Sequence, residues 1–320
     1  MIYLIQNSLD NRIIALCGIL FTYITTYLLL KFGTGLLPKD GGRDYAHDGK
    51  LSAGKPRGAG FLFIIVFSCS SLLFLPVGRE NIVYLILVLA AMITGFLDDC
   101  SKTPWGELRK GILDLVIALT VSITYVNFNS SVLNIPFVNT AITLSPIVFV
   151  ILGTILVWVS INVTNCSDGV DGLSGTLSVI TLLTIYAIGN ILGSNKNDGT
   201  IILIMVSCIM SYLWFNATPS SMIMGDAGSR ALGLFISIAV LKTGSPLLYI
   251  PAALMLIVDG GLGIIKVFLL RFLKIRILSK TRTPIHDHVR KNLTWSNTQV
   301  VFKFSIIQLL ISFTLVWLLS

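Results

Sequence analysis

Charge is what this sequence has least of. Only 12% of its 320 residues are charged, about half the share of an ordinary soluble domain, which excludes a water-soluble globule as the main architecture. Cysteine is sparse and odd in number, at five. Cys17, Cys69 and Cys208 fall in apolar runs, and Cys100 and Cys166 fall on the side expected to be reducing. Neither a disulfide framework nor zinc spacing is present. No low-complexity stretch, obvious repeat or domain boundary interrupts the chain. The N-terminal flank is not basic and the first apolar run is too long for an h-region, so no signal peptide is expected.

What is there is apolar, at 54%. Runs near the length needed to cross about 30 Å of hydrocarbon recur at 13–36, 58–77, 81–97, 112–128, 142–163, 173–190, 199–215, 230–243, 246–270 and 299–319. The expected fold is all-α and integral to a membrane. It is one polytopic unit over residues 1–320 with about ten transmembrane helices, some of them short and one open to a re-entrant reading. Basic residues orient it. Alternate loops (38–57, 98–111, 164–172, 216–230 and 271–298) hold sixteen Lys and Arg, and the other loops with both termini hold four. The first set is expected in the cytoplasm, both termini outside. The net charge of +8 is then a topology signal that suits anionic lipid headgroups. It makes no case for nucleic acid.

The acids carry more information. Of fifteen, only Asp10, Glu80 and Asp198 fall outside, an asymmetry the positive-inside rule does not demand. Asp98 and Asp99 end the third run, at the C-terminal, negative pole of a helix, where carboxylates are disfavoured. Such a site wants a cation: Lys102, a divalent metal or a shared proton. A solvated loop start with a local ion pair is the plain alternative. The link INVTNCSDGVDGLSG (161–175) carries Asn162, Asn165, Asp168 and Asp171 with no basic residue. One helix cap needs one acid, so the surplus suggests ligand or metal contacts. In MIMGDAGSRALG (222–233), Asp226 precedes a helix N-terminus, where Ser229 and Arg230 follow. The choice there lies between a cap with a snorkelling arginine and a metal carboxylate beside a phosphate-holding helix start. The loop 271–298 carries seven basic residues and two of the three histidines, His286 and His288. It suits a phosphate-rich anion or is an ordinary solvated turn. Lys55 and Arg57 sit in a glycine-rich turn, GKPRGAG (54–60), which would bind phosphate or merely flank a span. Within the membrane, Asp259 needs a partner, and Lys266 lies seven residues on along the same face. Glycines 260, 261 and 263 would allow a bend there. Asp114 lies one turn inside its run, near the interface.

These pieces stand in a recognisable order. GKPRGAG, the DDxxK after the third run, NxxDGxDGL, MGDxGS, PIHxH and then WSNTQV together resemble the polyprenyl-phosphate N-acetylhexosamine-1-phosphate transferases. The resemblance covers about residues 38–319. TPIHDH followed by WSNTQVVFKF is most similar to the peptidoglycan branch, since the N-acetylglucosamine branch arranges its histidine motif differently.

The resemblance implies a reaction. Undecaprenyl phosphate would attack UDP-N-acetylmuramoyl-pentapeptide, forming lipid I and releasing UMP with Mg²⁺ as cofactor, in a bacterial plasma membrane with the site facing the cytoplasm. It implies Asp226 as the magnesium ligand, Asp98 and Asp99 as the essential acidic pair, and His286 as the catalytic-site histidine. Asn165, Asp168, Asp171, Asn216, Ser229 and Lys266 fall where members contact nucleoside, diphosphate or nucleoside inhibitors of the tunicamycin or muraymycin type. Lys55, Lys102 and His288 are further substrate-binding candidates. Homodimerisation through the spans stays open. Three departures stand out: Asp287 replaces a histidine, Ile223 replaces a frequent aromatic, and KPRGAG replaces the commoner first-loop turn. The rivals are an N-acetylglucosamine-1-phosphate transferase and, from another class, a secondary transporter coupled through Asp259 and Lys266.

Overall fold

The computed structural model describes residues 10–42, 52–76, 78–101, 103–138, 140–194 and 199–320. Among the described residues its regular elements are helices and one hairpin. In order come α1 (Asn11–Phe32), α2 (Ala59–Phe74), α3 (Arg79–Asp99), α4 (Glu107–Phe128), β1 (Val132–Ile135), β2 (Thr140–Thr143), α5 (Pro146–Cys166), α6 (Leu173–Ile191), α7 (Gly199–Asn216) and α8 (Gly225–Lys242). A helix broken by 72° follows, α9 (Pro246–Ala252) and α10 (Leu254–Leu273). Then come α11 (Ile285–Leu293) and α12 (Asn297–Leu319). β1 and β2 pair antiparallel, Val132 opposite Thr143. Local chemistry sets several helix starts. Ser145 caps α5, with Pro146 in its first turn, where the missing N–H costs nothing. Ser296 and Gln299 form a capping box on α12.

Among the described residues, seven helices are long and apolar enough to cross a membrane, and eight if the broken pair counts as one span. Each of the ten expected runs falls on helix, but two stand apart. α2 has sixteen residues, and α8 carries Asp226, Arg230 and Lys242. Packing explains α8. Every residue from Gly225 to Leu241 is buried, so α8 is sheathed by protein and does not need an apolar surface for lipid. α3 and α5 flank it. α2 approaches to backbone contact, where a Cβ on Gly60 would lie 2.0 Å from the Gly228 nitrogen.

Two expectations about the membrane interior are corrected. The bend falls at Ala252–Leu254, ahead of the glycines, which lie in and just after a π-turn over Ile257–Gly261. Gln308 of α12 makes the break tolerable. Its Nε2 donates to the carbonyls of Pro251 (3.1 Å) and Ala252 (3.0 Å), and its Oε1 accepts from the Met255 N–H (2.9 Å). Backbone groups freed inside a bilayer need such partners. Asp114 is buried and pairs with Arg230, which is itself 1% exposed and does not snorkel. At the end remote from the acidic cluster, Glu80 accepts from Lys242 (2.8 Å), Tyr84 (2.9 Å) and Asn129 (2.6 Å), tying α3, α4 and α8 together.

Candidate functional site

α3 delivers Asp98 and Asp99 to the head of α8, and the two acids are used differently. Asp99 is bonded within the protein. Its Oδ1 accepts from Arg57 Nε (2.8 Å) and the Asp226 N–H (3.2 Å), and its Oδ2 accepts from the Ala227 N–H (3.1 Å). It is an anion seated on a helix N-terminus, with a side chain wholly out of solvent. Gly225 permits this. It has φ +74, and a Cβ there would lie 2.4 Å from Asp99 Oδ2. Asp98 accepts the Trp105 N–H on Oδ1 (2.7 Å) and faces the Lys110 ammonium with Oδ2 (2.6 Å). The same ammonium lies 3.0 Å from Asp226 Oδ2. Two carboxylates from different helices thus converge on one cation.

Arg57 is the second cation. Besides Asp99 it meets Asp40 (3.2 Å) and approaches Asp226 (3.8 Å). The turn that carries it is pinned to the segment before α8: the Gly58 N–H donates to the Ile223 carbonyl, and the Ile223 N–H to the Pro56 carbonyl. Asp114 and Arg230 extend the network one turn deeper. Among the described residues, Asp40, Asp98, Asp99, Asp114 and Asp226 therefore share Arg57, Lys110 and Arg230, leaving two carboxylates in excess.

A second wall is made by the α5–α6 and α7–α8 links. Asn165 donates to Ser229 Oγ (2.8 Å). Asp168 is half-buried on the same link. Asp171 accepts from the Ser220 N–H (3.1 Å), and Lys55 donates to Ser220 Oγ (3.0 Å). Asn216 holds the two links together, accepting from the Gly172 N–H (2.8 Å) and donating to the Met222 carbonyl (2.9 Å). Its amide is occupied at both ends by backbone.

The third wall is α11. His286 is buried and bonded to Asp259, not to solvent. Lys266 does not pair with Asp259. It donates to the carbonyls of Leu278 (3.0 Å) and Thr281 (2.8 Å), clipping the loop that leads into α11. Asp287 pairs with Arg290 (2.7 Å). Burial pushes the Asp287 carboxyl up, but Arg290 and His286 outweigh it and hold it below the usual carboxylate range. His288 Nδ1 accepts from the Arg282 N–H (3.3 Å) on the outer side of the loop. Lys102 lies outside the described residues.

Sequence reasoning therefore brought together Asp98, Asp99, Asp226, Asn165 and Ser229. It missed Lys110, Asp40 and the partner of Asp259. Lys110 gave no local signal, since it reaches Asp98 from the next helix. Asp259 did give one, as an acid inside an apolar run.

Among the described residues no three His, Cys, Asp or Glu side chains form a metal cage. Mg²⁺ does not need one, because it commonly takes one or two carboxylates and completes its shell with water and phosphate. Asp98 and Asp226 converging on one cation, in a network with two surplus negative charges, fit that donor set.

Fold and site together define a multi-pass α-helical membrane protein with a charge-dense polar site at one end of its bundle. The family model for glycosyl transferase family 4 matches residues 81–244, and the chain belongs to that family. A phospho-N-acetylmuramoyl-pentapeptide-transferase of Treponema pallidum is 39% identical over 315 residues, covering 93% of this chain and 87% of the relative. Proteins of the same name are 30% identical in Clostridium botulinum, covering 88% and 86%, and 28% identical in Rickettsia felis, covering 90% and 87%. The family match contains the acidic centre from α3 to α8 and stops before Asp259 and His286.

Proposed function

We propose that this chain transfers phospho-N-acetylmuramoyl-pentapeptide from its UDP carrier to undecaprenyl phosphate, forming lipid I and releasing UMP. The relatives' printed name supplies the transferred group. The observation that carries the chemistry is the convergence of Asp98 and Asp226 on one cation at the head of α8. The residues work as one membrane unit, with the five loops that together hold sixteen Lys and Arg on the cytoplasmic side of a bacterial plasma membrane.

Asp226 and Asp98 would hold Mg²⁺. When bound, the metal neutralises charge on the diphosphate. Lys110 and Arg57 bind phosphate oxygens and screen the acids from one another. Asp99 keeps the α8 N-terminus and Arg57 in register. Its two oxygens are occupied by three donors. Asn165 and Ser229 orient the diphosphate beside Asp226. Asp168 meets the nucleoside side of the donor, where Ile223 offers no aromatic face for the base. Asp171, Asn216 and Lys266 act through backbone, shaping the links and the loop. Lys55 and His288 lie at the rim. Nucleoside inhibitors of the tunicamycin or muraymycin type would compete for the same walls.

Asp98 positions the acceptor and metal more than it acts as a base. A phosphate monoester has a second pKa of about 6, so roughly nine-tenths is dianionic at pH 7. Direct in-line attack needs no protein nucleophile. Asp98→Asn should lose activity by the same factor from pH 6 to 9. Recovery at high pH would make Asp98 the base. The whole reading is tested by UMP release from purified protein given UDP-N-acetylmuramoyl-pentapeptide, polyprenyl phosphate and Mg²⁺. Release from UDP-N-acetylglucosamine instead would overturn the substrate assignment. The transporter reading loses its coupling pair, since Lys266 is bonded to carbonyls.

A further inference from the structure

Asp259 is fully buried in the π-turn of α10, and both its oxygens accept from one residue. Oδ1 takes the His286 backbone N–H (2.7 Å) and Oδ2 faces His286 Nδ1 (2.9 Å). If the carboxylate only capped α11, one oxygen would suffice, and Asn or Ser would serve without placing an ionisable group inside a span. The second bond goes to the ring. An ionised carboxylate only accepts, so Nδ1 carries the proton. The other nitrogen, Nε2, is aimed at the α5–α6 link. A Cβ built on Gly169 would lie 2.4 Å from it, and Asp287 Oδ1 is 3.9 Å away. Gly169 directly follows Asp168, so Nε2 faces the wall that carries Asn165 and Asp168.

We infer that Asp259 is the positioning residue of His286: by taking the Nδ1 proton it fixes the ring's tautomer and presents Nε2 to the substrate over the α5–α6 link. This rests on His286 being a group that meets substrate. It adds what sets its orientation, which lies outside the matched family region. The physical logic is that of any imidazole held by a buried carboxylate, where the hydrogen bond on one nitrogen decides the state of the other. Asn at 259 is close to isosteric, but its NH₂ would meet a ring N–H, forcing Nδ1 to become the acceptor and Nε2 to carry the proton.

The test uses the full-length protein with ¹⁵N-labelled histidine rings. The chain has only three histidines, so His47→Gln and His288→Gln assign the His286 signals. The parent should show Nδ1 protonated, and Asp259→Asn should show Nδ1 bare and Nε2 protonated. In turnover, Asp259→Asn should lower kcat by about 10²-fold or more with KM for the UDP substrate little changed. Asp259→Glu should recover part of the loss. In a His286→Ala background Asp259→Asn should cost nothing further. An unchanged tautomer in Asp259→Asn, or an equal loss in the His286→Ala background, would overturn the inference. Full activity in His286→Ala would instead remove the substrate role of His286 while leaving the tautomer result standing.

Discussion

At the residue scale the site is governed by who neutralises whom. Lys110 sits between Asp98 and Asp226 with both contacts at 3.0 Å or less. Removing one partner of a largely buried charge cluster leaves uncompensated carboxylates, which costs several kcal/mol when burial is complete. With Lys110 one-fifth exposed, Lys110→Met should cost about 2–3 kcal/mol, read as a lower thermal midpoint. Mg²⁺ should raise that midpoint more in the variant than in the parent, because the metal replaces the missing cation. An equal Mg²⁺ response in both proteins would separate Lys110 from the metal position. Most acids of this cluster, though not Asp40, were legible in sequence as an unexplained surplus, and Asp226, Asp98 and Asp99 do meet. Of the cations, Arg57 was legible only as one of two readings of a basic turn, and Lys110 was not legible. Lys110 and Arg57 are far from their partners along the chain, and a routine basic flank looks the same as a site residue until the helices are assembled.

At the element scale, α8 and the broken helix show how polar backbone and charge are carried through apolar surroundings. α8 touches α2 at a glycine pair, and Gly60→Val would drive side-chain atoms into the Gly228 backbone. The helices would have to part along the face that seats Asp226, so Gly60→Val should lose most activity and several kcal/mol of stability. Circular dichroism should still report normal helix content. The break between α9 and α10 depends on Gln308, which serves three backbone groups at once. Gln308→Leu strands them, at about 1–3 kcal/mol for each unsatisfied group. A clear drop in thermal midpoint is expected, and a midpoint equal to the parent's would show that the break does not rely on this side chain. The bend itself was misplaced by sequence reasoning. Glycine marks permission to deviate, but the place where the helix actually parts is set by which neighbour can receive its loose ends.

For the whole molecule, the basic loops predict a single orientation, and the chain supplies its own probe. Cys100 is exposed just beyond Asp99, on the expected cytoplasmic face. A membrane-impermeant maleimide should label it in inside-out vesicles and spare it in right-side-out ones. Labelling in the opposite sense would invert the topology. Partial desolvation at the end of α3 and the neighbouring Asp99 push the Cys100 thiol up. The thiolate is the reactive species, so the labelling rate should be low at neutral pH and still be rising at about pH 9. A plateau near pH 8 would contradict that environment.

By itself the sequence determined the class of molecule: apolar run length forces helices through a bilayer, charge bias supplies the orientation expected of them, and the order of short motifs points to one family. Those properties are local or additive along the chain, so no three-dimensional information is needed to read them. The tertiary structure alone decided which acids share a cation and which accept backbone N–H groups, that Arg230 and Asp114 satisfy each other, and that Asp259 belongs to His286 and not to Lys266. Pairing is a matter of distance, and in a bundle whose helices meet through glycine contacts, distance is set by packing and not by separation along the chain.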